Sequence, residues 1–220
     1  DMVETDKLKG EWYLKIIKPL VKKDLEEKSL KVMVPVKQVE EINYRTPIPE
    51  VKDPDLRTVE IQKLEEPYSY VRILYNTRYN EYIYEFIEPP LDVREKKLFK
   101  SIKNKIVELI DYKEFENKDE KNSYLFDLMA SVIEDMDETL GEETITKFKY
   151  YLRRDFIGYG PIQVPMLDPE VEDISCDGVN IPIYIYHRKY ESIRSTFKFE
   201  SEEDLDNFVI WIVQKSGRHI

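Results

Sequence analysis

Phe156-Ile-Gly-Tyr-Gly-Pro-Ile162, leading into Asp168-Pro-Glu-Val-Glu-Asp-Ile-Ser-Cys-Asp-Gly178, is where the chain changes character. Before it, apolar residues recur at helical spacing; after it they alternate. Gly158, Gly160 and Pro161 stop a helix and turn the chain, because glycine tolerates φ > 0 and proline fixes φ. Asp168-Pro-Glu170 reads as a turn and a helix start, its carboxylates well placed against a helix dipole. The run Ile183-Tyr-Ile-Tyr-His-Arg-Lys-Tyr-Glu-Ser-Ile-Arg-Ser-Thr-Phe-Lys-Phe199 is β-branched and aromatic, and predicts two short strands around a charged tight turn at 189–192. A helix over 201–214 follows. It rests on Leu205, Phe208, Val209 and Ile212 at helical spacing, with Ser201 as N-cap and Asp204 at N3.

Upstream, the pattern is helical. A third helix is expected over 142–156 on Ile145, Phe148, Leu152 and Phe156, and a second over 121–140 with Leu125, Leu128, Met129, Val132, Ile133 and Met136 inward, closed by Gly141. The first starts at Asp92, with Glu95 as capping-box partner, and runs on Leu98, Phe99, Ile102, Ile106, Leu109 and Ile110 to about Tyr112. Three helices with short loops predict a small antiparallel bundle. Before them, Tyr68–Tyr75 and Glu81–Ile87 predict a β-hairpin with a longer loop. Its tyrosines could stack on single-stranded nucleic acid, but cross-strand packing is the better reading in a chain this acidic. The proline-rich stretch 31–57 reads as an extended connector with one strand at 31–36. The expected fold is α+β: an arm and connector (1–57), a hairpin sheet with a helical bundle (58–157), and a small mixed α/β subdomain (158–220).

A net charge of −11 argues against nucleic acid as a partner. The charge is uneven. Residues 111–146 carry twelve Asp or Glu against three Lys, whereas residues 7–23 carry six Lys against Glu11. Trp12, Ile16 and Leu20 form an apolar stripe beside Lys15 and Lys18, and Pro19 interrupts it. That makes residues 7–28 a candidate contact arm, for which charge alone offers anionic lipid as one partner. Cys176 is the only cysteine, which points to a reducing compartment. No apolar run in the sequence reaches the ~20 residues of a membrane span. The expected location is cytoplasmic. High Lys and Glu with four Gln lean toward a thermophilic source.

Candidate chemistry is sparse. His187, His219 and Cys176 lack the local ligand pairs of a zinc site, and the acidic run at 170–177 lacks the order of a calcium loop. No metal site is expected, and Cys176 beside Asp177 reads as a small apolar residue in a strand. Arg188 and Arg194 flank the charged turn, and Arg218 lies near the end of the sequence. Arginine pairs bidentately with phosphate and stays charged. On the residues alone, these three are surface ion pairs with Glu191, Glu200 or Glu202.

The tokens GYGPI, DPEVEDISCDG, YIYHRKYESIRS and EEDLDNFV, in this order, resemble the N-terminal domain of archaeal secretion-superfamily ATPases. These are hexameric motors of the archaellum, of archaeal type IV pili and of type II-like secretion systems. The resemblance covers roughly the last 65 residues, a motif match that needs structural context. It implies a regulatory and oligomer-forming domain that closes over ATP and Mg held by a following ATPase domain. It further implies contacts with neighbouring subunits, a polytopic membrane platform protein and accessory motor proteins, the last two as partners of the arm at 7–28, and a place peripheral at the inner face of the membrane. Arg194, Arg188 and Arg218 then become candidates for the nucleotide phosphates. None of the six glycines sits in G-x-x-x-x-G-K-[ST], so this stretch has no catalytic phosphate cradle, and it is expected to be a fragment inactive as an ATPase by itself. The alternative is a protein-binding adaptor without a motor.

Overall fold

The computed structural model describes residues 44–110, 117–136 and 138–215. An extended lead-in at 44–50 enters a three-stranded meander: β1 (Leu56–Glu65), β2 (Ser69–Asn76) and β3 (Glu81–Ile87). Three helices follow, α1 (Val93–Leu109), α2 (Lys118–Asp135) and α3 (Glu142–Phe156). A 3₁₀ turn (Gly160–Ile162) and the short α4 (Gln163–Leu167) lead to β4 (Val171–Ser175), β5 (Pro182–His187), β6 (Glu191–Lys198) and α5 (Glu202–Lys215). The fold is α+β.

The six strands among the described residues form one sheet, in the order β1-β2-β3-β6-β5-β4. Every pairing is antiparallel except β3 with β6, which run parallel with Ile83 opposite Arg194 and Tyr84 opposite Ser195. The hairpin and the later strands therefore share a sheet across the change of character at Gly158. Two strands go beyond the sequence expectation. β1 starts inside the expected connector, and β4 occupies the place of the helix start expected near Asp168. Asp168 instead caps the C-terminus of α4, and its carboxylate accepts from the Glu170 N–H at 2.9 Å to form the turn into β4. A side chain that hydrogen-bonds two residues on makes a turn as readily as a helix cap.

Between β2 and β3, Asn76 Oδ1 accepts from the backbone N–H groups of Arg78 and Tyr79, and Asn80 takes φ 55°, so the longer loop closes on its own side chains. On one sheet face Val71, Ile73, Tyr84, Ile183, Ile185 and Ile193 form a core with Val164 of α4. The second core lies among the three helices: Phe99, Ile102, Ile106, Leu125, Leu128, Met129, Val132, Phe148 and Leu152. Each such side chain contributes about 1.5–3 kcal/mol on burial. Asp92 and Glu95 make the expected capping box at α1. α2 ends at Asp135, before Gly141, which is the N-cap position of α3.

Bundle and sheet are joined by charged side chains on the last turns of α3. Arg154 pairs with Glu88 (2.9 Å) and Asp155 (2.8 Å), Asp155 also pairs with Lys103 of α1 (2.6 Å), and Arg153 pairs with Glu65 of β1. Tyr150 and Tyr151 add hydrogen bonds to the Glu88 carboxylate and the Pro89 carbonyl.

Candidate functional site

The arginine-bearing turn between β5 and β6 is anchored at several points. Tyr190 OH and Lys189 Nζ both donate to Glu60 Oε2 of β1, each at 2.8 Å. These two donors hold the Glu60 carboxyl below its ordinary value. The Tyr190 ring packs on Tyr82 and on His187, at 4.8 and 5.0 Å between centroids. His187 is buried, and its Nδ1 accepts the Lys189 N–H, which fixes that nitrogen as the unprotonated one in this arrangement. The Arg188 N–H donates to the Glu170 carbonyl at 2.9 Å. Glu191 opens β6 with φ 59°, completing the turn at 188–190, one residue earlier than the spacing predicts.

Alternation on β5 and β6 then sorts the side chains. Ile183, Ile185, His187, Ile193 and Ser195 point into the core, while Tyr184, Tyr186 and Arg194 lie on the opposite face. Tyr184 sits directly opposite Arg194 and so shares its face. Arg194 Nε and Nη2 both donate to Oε1 of Glu81, at 3.1 and 2.9 Å. Arg188 Nε donates to Glu172 of β4 at 3.0 Å. The two arginines are thus brought to one hairpin, β5–β6, but to separate acceptors on different strands. Their partners are Glu81 and Glu172, not Glu191, Glu200 or Glu202. Strand register selects them: β3 sets Ile83 beside Arg194, and Glu81, two residues earlier, shares that face. Only a prediction of the β3–β6 pairing could have found Glu81 from sequence.

Arg218 and the arm residues Trp12, Lys15, Ile16, Lys18 and Leu20 lie outside the described residues, as does the strand expected at 31–36. Cys176 is exposed just beyond β4 and does not pack in a strand. Among the described residues, no three His, Cys, Asp or Glu side chains converge as metal ligands, and no helix is long and apolar enough to cross a membrane. Among the described residues of the site, no hydrogen-bonded nucleophile–base pair is found. What it offers is fixed positive charge: a guanidinium on a rigid strand with N–H donors beyond those given to Glu81.

The packing of α5 completes the surroundings. Phe208 packs tilted against Phe199, 5.2 Å between centroids, and Trp211 lies over Gly160, while Lys215 Nζ donates to the carbonyls of Ile157 and Gly158. Burial, with Lys121 and Lys118 nearby, lowers the Lys215 ammonium below its ordinary value. Val209, expected inward, is exposed beside Ile210.

No protein-family model matches the chain. An uncharacterized protein of Methanocaldococcus jannaschii is 38% identical over 138 residues, which cover 62% of this chain and 55% of the relative. A second uncharacterized protein of the same organism is 29% identical over 157 residues, covering 62% of this chain and 28% of that relative. The chain spans about half the length, or less, of the curated relatives it matches.

Proposed function

We propose that this chain is the N-terminal regulatory and oligomer-forming domain of a hexameric ATPase of the archaeal secretion superfamily. Its task is to close over ATP and Mg held by a separate P-loop domain, with Arg194 and then Arg188 facing the phosphates. The observation that carries the reading is Arg194 itself. It stands on a strand braced by both neighbours, yet its side chain is 36% exposed and its acceptor Glu81 is 35% exposed. A guanidinium that must reach a phosphate needs a rigid base and an open head. Buried arginines such as Arg154, 14% exposed and locked by Glu88 and Asp155, have no such freedom.

In this reading the arginine stabilises negative charge developing on the transferring phosphoryl oxygens, an effect worth about 10³-fold or more in rate. Release after hydrolysis opens the domain, and the rigid-body movement works on a membrane platform protein of an archaellum, pilus or secretion system. The test is ATP turnover by the full-length protein carrying the P-loop domain. Arg194→Ala is expected to cut turnover by about 10³ while hexamers still form, with a smaller loss for Arg188→Ala. Wild-type turnover in both variants overturns the reading.

The adaptor reading is favoured by a separate observation, the exposed apolar pairs Val209–Ile210 on α5 and Tyr184–Tyr186 on β5. If the natural gene lacks a P-loop domain, that reading takes over.

A further inference from the structure

We infer that Glu81 is a positioning residue that holds Arg194 in reserve and surrenders it to a polyphosphate, an inference that rests on the phosphate-facing role proposed for Arg194. The register of β3 against β6 delivers Glu81 to the same face as Arg194, and the hairpin loop at 77–80 immediately precedes it. Both contacts from the guanidinium fall on one oxygen, Oε1. The fork-on-fork geometry that makes arginine–carboxylate pairing strong is therefore not used, and part of the donor set stays available. Phosphate oxygens can accept that unused geometry in full.

The exchange is energetically easy. An ion pair as open as Glu81 with Arg194 contributes a factor of about one to five to an equilibrium. A triphosphate chain, with several charges and many acceptor oxygens, outcompetes it. The other arginine pairs differ in this respect. Arg72 is buried against a mostly covered Glu85, Arg154 and Glu88 are both mostly covered, and Arg72 also donates to the Pro49 carbonyl at 2.6 Å, so leaving would strand desolvated groups. Arg188 with Glu172 is open too, but Arg188 lies in a turn and its acceptor on the edge strand β4. Arg194 alone among these combines a central strand with an exchangeable acceptor. Glu81 does two things in the resting state. It keeps the guanidinium extended along the sheet face, and its own charge repels a phosphate until the exchange occurs.

The test uses this chain and inorganic tripolyphosphate, followed through the Nε–H resonance of Arg194 by ¹H–¹⁵N spectroscopy. Wild type is expected to bind weakly. Glu81→Gln removes the competing charge at constant size and should tighten binding about three- to tenfold, moving the Arg194 resonance at lower ligand. Glu81→Asp, whose shorter arm withdraws the carboxylate, serves as a second variant and should fall between them. Glu138→Gln, which removes the acceptor of the exposed Arg94 on the helical bundle, should leave the Arg194 titration unchanged, and Glu81→Gln combined with Arg194→Ala, its binding read by titration calorimetry, should show no tightening over Arg194→Ala alone. Equal affinity in wild type and both Glu81 variants overturns the inference, as does tightening that persists without Arg194. The proposed motor role fails separately: it falls if Arg194→Ala leaves full-length turnover intact, whatever tripolyphosphate does here.

Discussion

A methyl group at Gly158 would stand 2.4 Å from Gln163 Oε1 and 2.8 Å from the Arg154 carbonyl oxygen. The sequence suggests glycine at 158 and 160 for its freedom at positive φ, but of these two Gly160 alone takes it, at +57°, and crowding is the reason at Gly158. The Gln163 amide oxygen needs that space because it accepts the Tyr159 N–H at 2.7 Å, while its nitrogen reaches toward Glu65 of β1 at 3.5 Å. Gly158→Ala is therefore expected to cost about 1–3 kcal/mol through overpacking. Gly141→Ala, with nothing within 4 Å and φ −68°, should stay within about 0.5 kcal/mol. Denaturant midpoints of the two variants check this, and equal midpoints would remove the crowding argument.

Helices were legible where one face is buried and the caps are explicit: the Asp92–Glu95 box starts α1, Ser201 caps α5 through the Asp204 N–H, and the apolar faces of α1 and α3 match the observed core. Strands were legible in part. β2, β3, β5 and β6 carry aromatic and β-branched residues, but β1, exposed at Arg57, Thr58, Val59, Ile61 and Lys63, offers no such density, and the short β4 is polar and acidic. Pairing between distant strands leaves no local trace, so both acceptors of the candidate arginines stayed hidden. The α3 junction was equally invisible, since its partners come from β1, the Glu88–Pro89 link and α1. Here Asp155 carries a testable consequence. Burial raises its carboxyl, but the charges of Arg154 and Lys103 overcome that and hold it below its ordinary value of 3.8. A lowered folded value means that the stabilisation is present in full above 3.8 and is lost as pH falls through the folded value. Asp155→Asn should cost about 3 kcal/mol near neutrality, because Arg154 keeps Glu88 while Lys103 loses its partner. The cost should shrink in acid. Unfolding measured on both sides of that value checks the sign, and a pH-independent difference would assign the effect to packing alone.

Across the whole molecule, the narrowest seam is between β3 and β6, joined by two residue pairs and by the Thr196 hydroxyl accepting the Phe86 N–H at 3.2 Å. Backbone pairing this brief would let the hairpin sheet and the later strands part, were it not for side chains that cross it. Tyr84 of β3 is fully buried among Ile183, Ile185 and Ile193, and its hydroxyl donates to Asp168 at 2.8 Å. Lys189 and Tyr190 reach Glu60 at the far edge. The rigid-body movement proposed above requires this seam to hold. Tyr84→Phe keeps the ring and removes the donor, leaving the buried Asp168 carboxylate with only the Glu170 N–H named above. The expected cost is about 1–3 kcal/mol. Burial, with Asp168 adding to it, raises the Tyr84 phenol well above its ordinary value of 10.0. Its contribution is therefore complete below 10.0 and is lost as pH rises toward the folded value, so the gap between wild type and variant should narrow in strong alkali. Calorimetry should show a single cooperative transition for wild type, and for the variant one transition at lower temperature. Two separate transitions in wild type would mean that the halves fold independently, and a hinge at the seam would then replace the rigid body in the proposed mechanism.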